Sequence, residues 1–187
     1  MLTEIWELCR KLANPERLAL LRMVCEAEDG LNVGIAQDGA EGLKQSGTSQ
    51  YLGQLWKMGL VRRARSGKFV NYYADAENAN AQIKDVAVAL QERFLAEVGG
   101  DANDDGYLPV MRIMGNAMRA RIVGLLAREG QASAEYLCGR LGLNARALNR
   151  HLNPAIGMGL VECDATGNLR LKMPADTIAR LIVKAAV

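Results

Sequence analysis

The sequence predicts a mainly helical α+β protein built of two similar halves, each closing a run of helices with a small β-hairpin. Two observations carry this. Leu12-Ala13-Asn14-Pro15-Glu16-Arg17-Leu18-Ala19-Leu20-Leu21 recurs as Met114-Gly115-Asn116-Ala117-Met118-Arg119-Ala120-Arg121-Ile122-Val123, and Met58-Gly59-Leu60-Val61 as Met158-Gly159-Leu160-Val161. A short gap reconciles the two alignments; Gly67 then meets Gly167, and Ala74-Asp75 falls opposite Ala175-Asp176, one residue off. Beyond Gly59 the apolar period changes from that of a helix to that of a strand. A chain of 187 residues has room for two domains of this kind, since domains run from ~50 residues upward. The halves read as domains 1–98 and 108–187, joined by the linker 99–107, Gly-Gly-Asp-Ala-Asn-Asp-Asp-Gly-Tyr.

Each element follows from local chemistry. Leu2, Ile5, Trp6, Cys9 and Leu12 recur at helical spacing. Asn14 is a good N-cap and Pro15 suits a first helical turn, so a second helix is expected over 15–27. A third is expected over 34–44, although Gly34, Gly39 and Gly42 weaken it, and a fourth over 47–57, ended by Gly59. Leu60–Arg65 and Lys68–Tyr73 flank Ser66-Gly67 as a hairpin. Ile83, Val86, Leu90, Phe94 and Val98 then form one apolar stripe along a helix over 81–98. The second half repeats the order, with its hairpin over 159–173 and a final helix over 175–186. Pro154 should end or kink the fourth helix of that half, leaving it at 145–152.

Composition excludes several classes. Half of the residues are hydrophobic, enough for a core, which argues against disorder. Lysine and arginine total 23 against 21 acids, a net charge of +2, so the chain is no polycation. No apolar run approaches the ~18 residues of a membrane span. The amphipathic N-terminus carries two acids and does not read as a secretory signal, so a cytoplasmic protein is expected. Cys9, Cys25, Cys138 and Cys163 are scattered and read as reduced thiols. A single histidine, His151, offers little for a closed metal site or a catalytic triad. Asp101–Gly106 has the first half of a calcium loop, but its twelfth position is Arg112 and Pro109 interrupts it, so a polar linker is the better reading. No P-loop or dinucleotide fingerprint occurs. Neither an enzyme nor a cofactor or metal is expected.

Three helices followed by a hairpin describe a winged helix-turn-helix, here twice in one chain as a pseudo-dimer. Gln45-Ser46, Ser49-Gln50-Tyr51-Leu52, Leu55, Met58-Gly59-Leu60-Val61 and Arg65-Ser66-Gly67-Lys68-Phe69-Val70-Asn71-Tyr72 resemble the recognition helix and wing of ArsR-type repressors. Leu12–Arg17 resembles the start of that family's second helix, and Asn149-Arg150-His151-Leu152 its Ser-Arg-His-Leu signature. The resemblance implies DNA binding, most simply as a repressor, and dimerisation through first and last helices. That leaves room for a homodimer besides the internal pairing. It does not imply metal sensing: the stretch Asn32–Leu43 lacks the family's cysteine pair, its counterpart holds only Cys138, and neither last helix has a histidine.

A recognition helix presents its N-terminal side chains to base edges in the major groove. In the first half these are Ser46, Thr48, Ser49, Gln50 and Tyr51, with Gln54 one turn on; glutamine can address adenine through two hydrogen bonds. Such residues are also ordinary on a solvated helix face, but the helix context favours DNA. Arg62, Arg63, Arg65 and Lys68 make the hairpin basic and suit phosphate or minor-groove contact, although charge also protects exposed strands. The second half offers Arg146, Asn149, Arg150 and His151, while its hairpin carries Glu162 and Asp164. The expected partner is double-stranded DNA, with no membrane and no effector that the sequence names. Two rivals stand beside this: an interaction module that has lost DNA binding, and a regulator whose cysteines sense redox state.

Overall fold

The computed structural model describes residues 4–39, 45–98 and 104–187. They form a mixed, mainly helical α+β protein with two small antiparallel sheets. The first run of elements is α1 (Ile5–Leu12), α2 (Pro15–Glu26), β1 (Leu31–Asn32), α3 (Val33–Gly39), α4 (Gln45–Lys57), β2 (Val61–Ser66), β3 (Phe69–Ala74) and α5 (Ala81–Ala96). The second is α6 (Leu108–Met114), α7 (Ala117–Glu129), β4 (Gln131–Ser133), α8 (Ala134–Leu141), α9 (Ala145–Gly157), β5 (Val161–Cys163), β6 (Asn168–Leu171) and α10 (Thr177–Lys184). The two runs have the same order. The part of the third expected helix beyond Gly39, and the start of the linker, lie outside the described residues. No helix among the described residues is long and apolar enough to cross a membrane.

The chain divides into two compact units, one comprising Lys11–Ala102 and the other Ile5–Arg10 together with Asn103–Val187. Most of α1, expected in the first domain, therefore groups with the second unit. There its backbone comes close to the end of α6: the Cα of Arg10 lies 3.0 Å from where a Cβ on Gly115 would stand. The expected linker is also shorter at its far end. Tyr107 is wholly buried, and its hydroxyl donates to Asp104.

In the first unit α2 packs on α4, α5 and β3. Leu18, Leu21 and Val24 of α2, Leu52 and Leu55 of α4, and Ile83, Val86 and Leu90 of α5 are all buried. Each such side chain stabilises the fold by ~1.5–3 kcal/mol. Arg22 binds Glu97 at 2.8 Å and lies over the ring of Phe94, tying α2 to the end of α5. That helix stops at Ala96, so Val98, expected to complete its stripe, is 58 % exposed. In the second unit α7 occupies the same central post, against α6, α9, α10, β4 and β6.

The capping follows the same scheme in both units. Asn14 Oδ1 accepts from Arg17 N at 2.9 Å and Asn116 Oδ1 from Arg119 N at 3.1 Å. The same two arginines then turn back, each donating its Nε to a carbonyl in the preceding turn: Arg17 to Lys11 at 2.8 Å, Arg119 to Ile113 at 2.7 Å. Each helix start thus satisfies an orphan donor and anchors the chain before it.

Three features depart from the sequence reading. Strands β1 and β4, too short to show a period, pair with β3 and β6 and make each hairpin a three-stranded sheet, in the orders β1-β3-β2 and β4-β6-β5. Helix α9 continues through Pro154 to Gly157. Pro154 is on the exposed side, where water can take up the freed carbonyl of Arg150, while Leu152 and Ala155 hold the other side in the core. The hairpins also differ in length. Val61 pairs with Ala74 across a six-pair ladder, but Val161 pairs with Leu171 across three. Leu60 O accepts from Asp75 N and Leu160 O from Lys172 N, so Asp75 corresponds to Lys172, and the helix caps to Asn80 and Asp176. The expected match of Ala74-Asp75 to Ala175-Asp176 is replaced by this one.

Candidate nucleic-acid interface

Helix α4 buries Thr48, Leu52 and Leu55 and leaves Ser49, Gln50, Trp56 and Lys57 exposed, with Gly53 between them. The spacing is that of one helical face. Helix α9 does the same with Leu148, Leu152 and Ala155 buried and Arg146, Asn149, Arg150, Asn153 and Ile156 exposed. Each unit thus presents one open helical stripe, polar in its first turns.

Several expected contacts are used elsewhere. Thr48 is 0 % exposed, because it falls on the buried side with Leu52, and cannot reach a ligand on the open stripe. Gln54 Oε1 accepts a hydrogen bond from Arg17 Nη1 and so joins α4 to α2. Tyr51 is half-buried under the Arg17 guanidinium, 5.2 Å from the ring centroid, and its hydrogen bond with Glu16 pushes the phenol pKa up. His151, the counterpart of Tyr51, is half-buried too. Desolvation, Arg150 and Arg119 together lower its pKa from the usual 6.5. Arg17 and Arg119, equivalent residues, thus each act on the residue at the same post of α4 and α9. Ser46 belongs to α4, but its side chain lies outside the described residues.

The basic hairpin splits by face. Side chains alternate along a strand, so Arg63 and Arg65 share the side of the buried Val61 while Arg62 points the other way. Contacts agree: Arg63 lies 3.6 Å from the ring centroid of Trp56 on α4, whereas Arg62 lies 4.1 Å from that of its cross-strand partner Tyr73. Lys68, at the tip, is exposed beside Phe69. Arg63, Arg65 and the α4 stripe therefore share one side of the unit, and Arg62 does not. Trp56 is a site residue that the sequence does not mark; an aromatic in the last turn of a helix carries no signal until its arginine partner is known.

The second hairpin is neutral, not acidic. Glu162 binds Arg170 at 3.0 Å and Lys172 at 3.2 Å, and these bonds hold its carboxyl below the usual range. Asp164 accepts from Thr166 N at 2.8 Å and Asn168 N at 3.0 Å and organises the turn. Gly167 closes it at φ +82°. No protein-family model matches the chain, and neither does any curated protein or solved structure.

Proposed function

We propose that the chain binds duplex DNA and regulates transcription, most simply as a repressor, through two tandem winged helix-turn-helix domains of ArsR type. One observation carries this: the open stripe Ser49–Gln50–Trp56–Lys57 of α4 lies on the same side of its unit as Arg63 and Arg65. The stripe fits a major groove, where Gln50 addresses adenine and Ser49 a base or phosphate. The two arginines suit the phosphates beside it. The second head reads through Arg146, Asn149 and Arg150, with guanine the natural partner of its arginines. The repeated order of elements, caps and turned-back arginines supports duplication of one ancestral domain.

The test is a titration of the full chain against genomic duplex fragments at two salt concentrations. Affinity should fall as salt rises, by a log-log slope of ~0.9 for each phosphate engaged. Absent or salt-insensitive binding overturns the reading. The former result would favour an interaction module, for which Phe69 and Val70, exposed at the first hairpin's tip, supply an apolar contact. The redox rival narrows to Cys138 and Cys163. Burial pushes the thiol pKa of Cys9 up and takes that of Cys25 to about 12, against thiolate chemistry.

A further inference from the structure

A cavity of about 190 Å³ in the second unit is lined by Arg121, Leu125 and Arg128 of α7, Arg140 and Leu141 of α8, and Ala186 beyond α10. Arg121 and Arg128 stand two turns apart on one face of α7, with Leu125 as the floor between them. Among the described residues none of the three arginines has a hydrogen-bond or ion-pair partner. One wall is built with unusual closeness: Ala186 O lies 2.1 Å from where a Cβ on Gly124 would stand, so only glycine lets that backbone seat on α7.

The cluster is peculiar to this unit. Counted from the caps Asn14 and Asn116, the posts of Arg121, Gly124 and Arg128 hold Ala19, Arg22 and Glu26 in the first unit. Cations near a helix end can serve only to offset its dipole. That account covers Arg128 and Arg140, in the last turns of α7 and α8, but not Arg121, which sits in the first half of α7. Three guanidinium groups facing one space repel one another until an anion enters, and each presents a fork that matches phosphate oxygens.

We propose that this cavity is a site for a small phosphate-bearing ligand, held by its phosphates between Arg121, Arg128 and Arg140. Its size suits a diphosphate group and not a whole drug-sized molecule, which takes ~300–1,000 Å³. Any remaining part of the ligand projects outward. Such a site would give the second unit an effector role distinct from base reading.

Calorimetric titration of the full chain with inorganic pyrophosphate tests this without reference to DNA. One site per chain is expected. Arg128→Ala and Arg140→Ala should each weaken it about tenfold or more, as loss of a charged hydrogen bond does. Arg140→Lys should recover only part of the loss, and Arg150→Ala on α9 should leave binding unchanged. All three arginines are exposed, so an unchanged thermal midpoint confirms folded variants. No binding, or equal weakening by Arg150→Ala, overturns the site in favour of diffuse attraction. A DNA salt slope lowered by about one in Arg128→Ala also overturns it, since the arginine would then be a contact to the DNA backbone.

Discussion

Arg63 stacks on Trp56, its guanidinium carbon 3.6 Å from the ring centroid, and so joins the hairpin to the helix beside it. The contact sets the direction of the hairpin's charges relative to the open stripe of α4. Exposed pairs of this kind contribute ~0.5–1 kcal/mol. A double-mutant cycle of Trp56→Ala and Arg63→Ala, read by denaturant unfolding, should give a coupling of that size. Strictly additive effects would show that the stack does not hold the two elements together.

The pleat of β2 separates arginines that look equivalent in sequence. Arg65→Ala should lower the log-log salt slope of DNA binding by about one. Arg62→Ala, on the Tyr73 face, should leave it unchanged. Equal effects would mean that both faces of the hairpin meet phosphate.

Gln50 and Gln54 should part in the same manner. Gln50→Ala is expected to cost ~1–3 kcal/mol on the preferred site and to relax preference at one base pair. Gln54→Ala removes the acceptor of Arg17 and should lower thermal stability while leaving base preference intact. A shift of preference in the Gln54 variant would put that side chain in the groove.

His151 supplies a pH dependence whose sign is fixed. Its folded-state pKa lies below the unfolded value, so as pH is lowered from about 6.5 through the folded-state pKa the unfolded chain binds more protons and folding stability is lost. His151→Gln should flatten this part of the stability profile. A variant as acid-sensitive as the parent would place the titrating group elsewhere.

Much of the fold was legible because it rests on local signals. Asn14, Asn116 and the turn glycines announced helix starts and hairpins, and the apolar spacings of α1 and α5 announced parts of the core. What escaped depended on distant partners. Strands β1 and β4 exist only because β3 and β6 offer an edge. Pro154 is tolerated because its side of α9 meets solvent. The neutrality of the second hairpin required Arg170 and Lys172 to be seen across from Glu162. The site was half legible: Ser49, Gln50, Arg146, Asn149 and Arg150 are open, but a list of polar residues could not tell that Thr48 faces inward. Nor could it tell that Gln54 serves Arg17.

The central claim is that one chain carries two unlike DNA-reading heads, Ser49-Gln50 on α4 and Asn149-Arg150 on α9. Selection of bound sites from random duplex DNA by the full chain tests it most directly. The account predicts an enriched consensus of two unlike halves, one with guanine where Arg150 reads and one with adenine where Gln50 reads. A perfect palindrome would contradict it, because operator symmetry mirrors the symmetry of the reading heads; so would the absence of any enriched sequence.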